Sequence, residues 1–128
     1  MDLLLDTHSL LWFIAGDDKL NKPTRQLIAN LNNRTQISVV SLWEMTIKIG
    51  TGKLTLARPF EELFPKQLIL NEIEILPIKL EHISVLAQLP LYHRDPFDRM
   101  IIAQTIAENL QVISKDKIFQ KYPVKVIW

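Results

Sequence analysis

Four acidic side chains, Asp6, Glu44, Asp98 and Asp116, occupy comparable places in the chain, each just after a short apolar run or in the first turns of a helix-like stretch. The clearest case is Leu3-Leu4-Leu5-Asp6, where a carboxylate closes a run of leucines and an apolar helical pattern follows. In open α/β sheets, ligands collect at the carboxyl ends of strands, where loops cross into helices. Carboxylates gathered there repel one another unless a cation lies between them. Hard oxygen donors select Mg²⁺ or Mn²⁺ rather than zinc. Such an ion binds phosphate oxygens and draws a nucleophile from water at neutral pH. These residue types therefore point to metal-assisted chemistry on a phosphate ester.

Each acid also has an ordinary capping use. Asp6 can cap the helix that follows it. Ser41-x-x-Glu44 has the form of a capping box. In Asp95-Pro96-Phe97-Asp98, Asp95 is placed as N-cap, Pro96 as first helical residue, and Asp98 as an acid favoured by the helix dipole. Asp116 can cap a short helical stretch ending near Tyr122. It is the conjunction that favours a site. Asp6 and Asp116 directly follow predicted strands, and Glu44 lies one turn into the helix after the second. Asp98 is the exception: its helix runs back toward the other sheet edge unless that helix crosses the strand ends, a choice the sequence leaves open. Apolar Phe97, Met100, Ile101 and Ala103 nonetheless set a buried face beside it, where an unpaired carboxylate is costly.

The elements that would position these acids follow from the pattern. Leu3–Leu5, Ile37–Val40, Ile73–Ile78, Gln111–Ser114 and Val124–Trp128 read as strands. Ser9–Ala15 (stopped by Gly16), Pro23–Leu31, Ser41–Ile49, a segment after Pro59, Leu80–Leu89 and Phe97–Asn109 read as helices. Strands separated by helices imply βαβ units and a three-layer α/β/α fold with a parallel sheet. The 128 residues suggest one domain spanning 1–128. The net charge of +1 argues against a uniformly basic nucleic-acid binder, so positive charge for such a partner must be local. The absence of cysteine removes disulfides and thiolate metal sites. Asp2 follows Met1 with no basic leader, and the apolar run Leu10–Ala15 is too short to span a bilayer. A soluble, cytoplasmic protein with no membrane contact is the expectation.

The segments Leu4-Leu5-Asp6-Thr7-His8, Ser38-Val39-Val40-Ser41-Leu42-Trp43-Glu44, His93 through Gln104, and Ile113-Ser114-Lys115-Asp116 together resemble the PIN-domain ribonucleases, above all the VapC-type toxins of bacterial toxin–antitoxin pairs. The likeness extends over nearly the whole chain in family order, and Arg94–Gln104 is its most specific part. Ser114 stands where many relatives carry threonine, a change that keeps the hydroxyl. The resemblance implies a PIN-like α/β/α fold and an acidic pocket in which Asp6, Glu44, Asp98 and Asp116 hold Mg²⁺ or Mn²⁺. Thr7 and Ser114 would orient those carboxylates, and Asp95 would support the loop. It implies metal-dependent endonucleolytic hydrolysis of RNA, inhibition by a cognate antitoxin, and a homodimer.

Other residues bear on substrate. Lys48 and Lys53 near the Gly50–Gly52 break, and Arg94 and Arg99 around Asp98, are candidates for RNA phosphate contacts, one arginine alternatively pairing with Asp95. Trp12 and Trp43 sit in apolar helical stretches and are expected in the core. Phe60, Leu63, Phe64 and Leu68 form a stripe read as core, or as a groove for a partner helix. The histidines His8, His82 and His93 share no ligand spacing. An aspartyl-phosphate phosphotransferase is disfavoured because His8 stands where its second aspartate is required. A P-loop is disfavoured because Leu54 follows Gly52-Lys53. The remaining rival is a non-catalytic RNA- or partner-binding module on the same fold, against which the retention of four mutually repelling acids argues.

Overall fold

The computed structural model describes all residues from 1 to 128. Leu3, Leu4 and Leu5 have no solvent exposure. Strand β1 (Asp2–Leu5) is the middle strand of a five-stranded sheet with helices against both faces. A parallel strand covered on both sides needs an unbroken apolar run rather than alternation, which is why three consecutive leucines stand here. After β1 come α1 (Thr7–Ala15), α2 (Lys22–Ala29), β2 (Arg34–Ser38), α3 (Val39–Gly50), α4 (Phe60–Leu70) and β3 (Ile73–Leu76). Then follow α5 (Leu80–Gln88), α6 (Pro96–Ala107), β4 (Gln111–Ile113), a 3₁₀ turn (Lys117–Lys121) and β5 (Lys125–Ile127).

All strand pairs are parallel, in the order β3-β2-β1-β4-β5, with Leu5 in register with both Ile37 and Ile113. The pleat divides the core. Leu3 and Leu5 pack with Leu10, Met45 and Phe64 on one face, and Leu4 packs with Ile101, Ile102 and Phe119 on the other. The chain builds outward from β1 to β3, then returns to lay β4 on the opposite flank of β1. The topological switch point therefore falls between the carboxyl ends of β1 and β4, where such sheets bind ligands.

Local chemistry sets the helix starts that surround this point. The Asp6 carboxylate caps α1 through Ser9 N–H at 2.9 Å, and Gly16 ends that helix with φ 65°, a left-handed conformation that glycine adopts at little cost. Asp95 caps α6 by accepting from the N–H groups of Phe97 and Asp98.

Several expectations need correction. The second strand ends at Ser38 rather than Val40, and Ser38, not Ser41, caps α3, accepting from Val40 N–H at 3.1 Å. Val39 and Val40 enter the helix despite their β-branching because the chain leaves the sheet edge there. Ser41 is therefore inside the helix, and Glu44 makes no capping box. The first helix starts at Thr7 rather than Ser9. Asp98 is no exception to the edge rule. A helix that leads into a parallel strand runs antiparallel to it, so its N-terminus starts at the carboxyl edge, and α6 begins beside the other acids. In the Phe60/Leu63/Phe64/Leu68 stripe, Phe64 and Leu68 belong to the core. No helix is long and apolar enough to cross a membrane.

Because Leu4 is the residue of β1 that joins the sheet to α6, its truncation tests this packing. Leu4→Ala should destabilise the fold by about 2–5 kcal/mol, read as a lower urea midpoint with little change in slope; a loss below about 1 kcal/mol would show that the second core layer is not packed as described.

Candidate metal centre

The floor of the site is tied across the switch point. Ser114, just past β4, donates its hydroxyl to Asp6 Oδ2 at 2.7 Å and accepts the Asp116 N–H at 3.0 Å. Ser9 donates its hydroxyl to the Ile113 carbonyl at 3.2 Å, and Asp6 N–H reaches the same oxygen at 3.1 Å. Asp6 is only 5% exposed. Burial pushes its pKa up, against the hydrogen bonds from Ser9 and Ser114, which favour the ionised form. Asp116 accepts from Ile118 N–H and so starts the 3₁₀ turn.

Glu44 comes from α3. Thr7 Oγ1 donates to its Oε1 at 2.7 Å, and Lys48 Nζ lies 3.0 Å from its Oε2, one turn further along the helix. Both oxygens of this buried carboxylate are thus engaged, and the ion pair is partly shielded from water. Lys48, one of the candidates for RNA phosphate, is paired with the glutamate.

Asp98 enters from the first turn of α6. Its pKa is raised to about 7, first by burial and then by the negative charges of Asp95, Glu44, Asp116 and Asp6. Asp98 therefore senses the other three sequence-predicted acids through space. Asp95 contributes charge as well as the helix cap. His93 also points here, with Nε2 3.6 Å from Asp98 Oδ2 and no hydrogen-bond partner although it is buried; such a donor costs about 1–3 kcal/mol when left unpaired. Sequence spacing did not single out His93, although it lies in the same loop as Asp95.

The basic candidates separate. Arg99 donates to the carbonyls of Pro90 at 2.8 Å and Leu89 at 3.2 Å, and to the Tyr122 hydroxyl at 3.2 Å. These bonds, to the turn before α6 and to Tyr122, hold the guanidinium in place, and it makes no ion pair with Asp95. Arg94 and Lys53 are exposed. Trp43, expected in the core, is 58% exposed and rests edge-on against Phe97 at 5.1 Å. A cavity of about 230 Å³ opens between Asp6, Asp116, His8, Trp12 and Lys115. A larger one of about 570 Å³ runs alongside, bounded by Leu11, Trp12, Leu54, Leu56 and Leu63, with Lys53 at its rim.

The donor set fits a hard divalent cation: carboxylate oxygens only, their repulsion raising Asp98, with one ammonium on the outer oxygen of Glu44. A tighter group lies elsewhere, at Glu81, His82 and Glu108, whose ligand atoms fall within 4.8 Å of one another. There His82 Nδ1 accepts Lys79 N–H at 3.0 Å, its Nε2 meets Glu108 at 2.9 Å, and Lys79 Nζ lies 3.5 Å from Glu108. Glu108 is lowered, chiefly by the hydrogen bond from His82. That cluster holds its own cation in Lys79 and ties α5 to the end of α6.

This chain matches the PIN domain family over residues 3–125 and belongs to it. Among solved structures it is similar to VapBC2 from Rickettsia felis bound to a fragment of its promoter DNA, with a TM-score of 0.74, 19% identity, and 99% of this chain and 98% of that one covered. It is also similar to DNA-bound VapBC from Salmonella typhimurium, with a TM-score of 0.71, 18% identity and coverages of 99% and 97%. A third likeness is to FitAcB from Neisseria gonorrhoeae, with a TM-score of 0.61, 20% identity and coverages of 98% and 96%. At these identities the likeness is one of fold. No curated protein matches the chain in sequence.

The raised pKa of Asp98 carries a stability prediction. The folded state holds this proton up to about pH 7, whereas an unfolded aspartate releases it near its ordinary 3.8. Stability therefore falls as pH rises between those values. Asp98→Asn escapes that penalty. Without metal at pH 8 the variant should be more stable by on the order of 1–3 kcal/mol, and near pH 4 the difference should vanish. Equal urea midpoints at pH 8 would sink this account of the site.

Proposed function

We propose that this protein is a Mg²⁺- or Mn²⁺-dependent endoribonuclease that hydrolyses RNA phosphodiester bonds, and that it is the toxin of a toxin–antitoxin pair. The observation that carries the reading is the convergence of Asp6, Glu44, Asp98 and Asp116 at the switch point of a PIN-family fold, with the charge of the other three felt at Asp98. Asp6 and Asp98 would be the principal holders of the cation, Asp116 would bind it directly or through water, and Glu44 would position the ion or the attacking water. When bound, such an ion supplies a water-derived nucleophile at neutral pH and neutralises charge on the phosphate. The chain's own part is orientation. Thr7 fixes one oxygen of Glu44, Ser114 fixes one oxygen of Asp6, and the capping bonds of Asp95 and Asp116 hold the backbone that carries the others. Arg94 and Lys53 remain available for RNA phosphates, which supply most sequence-independent affinity.

The toxin reading rests on the similar solved structures, which are described as VapBC assemblies or, in one case, as a toxin–antitoxin complex from Klebsiella pneumoniae. Beside the acids, the 570 Å³ apolar cavity offers an antitoxin segment a seat. A homodimer has a surface at hand in the exposed stripe Val39, Trp43 and Ile47, spaced four apart on α3. Action on cellular RNA places the protein in the cytoplasm. The alternative, a non-catalytic binding module, would leave the carboxylates with repulsion and no use.

Bulk RNA, including tRNA, should be cut by protein freed of any bound partner when Mg²⁺ or Mn²⁺ is added. Cutting should stop in EDTA and fall by about 100-fold or more in Asp98→Asn, the loss of a few kcal/mol of charge stabilisation. Cleavage that survives both EDTA and the substitution would refute the assignment, and no cleavage in either metal by folded protein would favour the binding module.

A further inference from the structure

Asp98 is approached by a chain of side chains that starts from Arg99. Tyr122 is 4% exposed. Its hydroxyl sits between Arg99 Nη1 at 3.2 Å and His93 Nδ1 at 2.7 Å. A guanidinium can only donate, so the phenol oxygen accepts from Arg99. The phenol hydrogen then has His93 Nδ1 as its acceptor, the one other polar atom bonded to that hydroxyl. An imidazole nitrogen that accepts leaves the ring proton on the other nitrogen. Neutral His93 therefore carries its hydrogen on Nε2. That nitrogen lies 3.6 Å from Asp98 Oδ2 and is enclosed without any hydrogen-bond partner. The start of the chain is fixed as well, because Arg99 is bound to the carbonyls of Leu89 and Pro90.

We infer that Arg99, Tyr122 and His93 form a hydrogen-bonded relay that holds His93 as its Nε2–H form and presents that N–H to the Asp98 carboxylate, orienting it toward a divalent cation. The inference rests on the cation site proposed above. The present separation is roughly half an ångström beyond hydrogen-bonding reach, so a small turn of the carboxylate closes the contact. A donor held on one oxygen leaves the other directed at the ion. Losing a group that braces a metal-binding side chain in this way commonly costs about 10- to 100-fold in metal affinity. Arg99, Tyr122 and His93 are positioning residues in this scheme. They also explain why an arginine one residue from Asp98 turns away from the pocket: its charge is used to orient a phenol.

Two measurements test the relay without RNA. In metal-free wild-type protein at pH 8, long-range ¹H–¹⁵N spectra should show His93 protonated at Nε2, and Tyr122→Phe, which keeps the ring and removes the hydroxyl, should shift it toward the other tautomer. The dissociation constant for Mn²⁺ should rise about 10-fold in Tyr122→Phe and in His93→Leu. His93→Gln, which can place an amide N–H near the same point, should recover most of the affinity. A wild-type His93 protonated at Nδ1 overturns the proposal, whatever the variants do. So does wild-type Mn²⁺ affinity in folded His93→Leu and Tyr122→Phe. If Asp98→Asn binds Mn²⁺ as tightly as wild type, the cation site falls and the relay with it. Intact, relay-dependent Mn²⁺ binding with no RNA cleavage would refute the nuclease assignment and leave the relay standing.

Discussion

Repulsion among the carboxylates of Asp6, Glu44, Asp98 and Asp116 is the constraint around which this protein is arranged. Left to themselves these side chains would separate, and burial adds to the cost of ionising Asp6 and Asp98. The fold opposes that by covalent and packing means. Asp6 hangs from a fully buried strand, Glu44 from a helix that packs on α1 and α6, and Asp98 from the first turn of a helix whose inner face includes Ile101 and Ile102. None of these elements can retreat without opening the core. At Asp98, burial first and the neighbouring negative charges second push the carboxyl pKa up to about 7.

The supporting hydrogen bonds are graded by position. Asp6 and Glu44, the two most enclosed acids, have oxygens bound by Ser114 and Thr7, each at 2.7 Å, with Lys48 on the other side of Glu44. At Asp6 the hydrogen bonds from Ser9 and Ser114 favour the ionised form and offset part of the burial cost. Asp98 has no such bond to its side chain, only the nearby His93. The site is thus asymmetric: two carboxylates are fixed in advance, and one keeps the freedom to respond to a cation. Preorganising most of a site lowers the cost of ordering it on binding.

How much of this could be read from the chain follows from sequence separation. The role of Leu3–Leu5 as a central strand and of Asp95-Pro96 as a helix start depends on neighbours, and local patterns carry it. The parallel sheet follows from the alternation of elements. The edge on which Asp98 falls depends on the direction of the helix entering a parallel strand, which places the start of α6 at the carboxyl edge. What local patterns cannot supply are contacts across the fold. Ser114 meets Asp6 over 108 positions, and His93 meets Tyr122 over 29. Trp43 gave a false signal because its apolar helical setting is the same whether that face meets the core or solvent.

Arg99 shows why residue type and proximity were insufficient for assigning substrate contacts. An arginine next to a candidate metal-binding acid is an obvious phosphate ligand by charge alone. Yet a guanidinium has several donors in a rigid plane, and here three of them go to two carbonyls and a phenol. Arg99 thereby satisfies the carbonyls of Leu89 and Pro90 at once. Positive charge is therefore spent on architecture at Arg99 and on a single carboxylate at Lys48, while Lys115 borders the small cavity. What remains uncompensated at the centre is negative, and a small hard cation is the partner best matched to it.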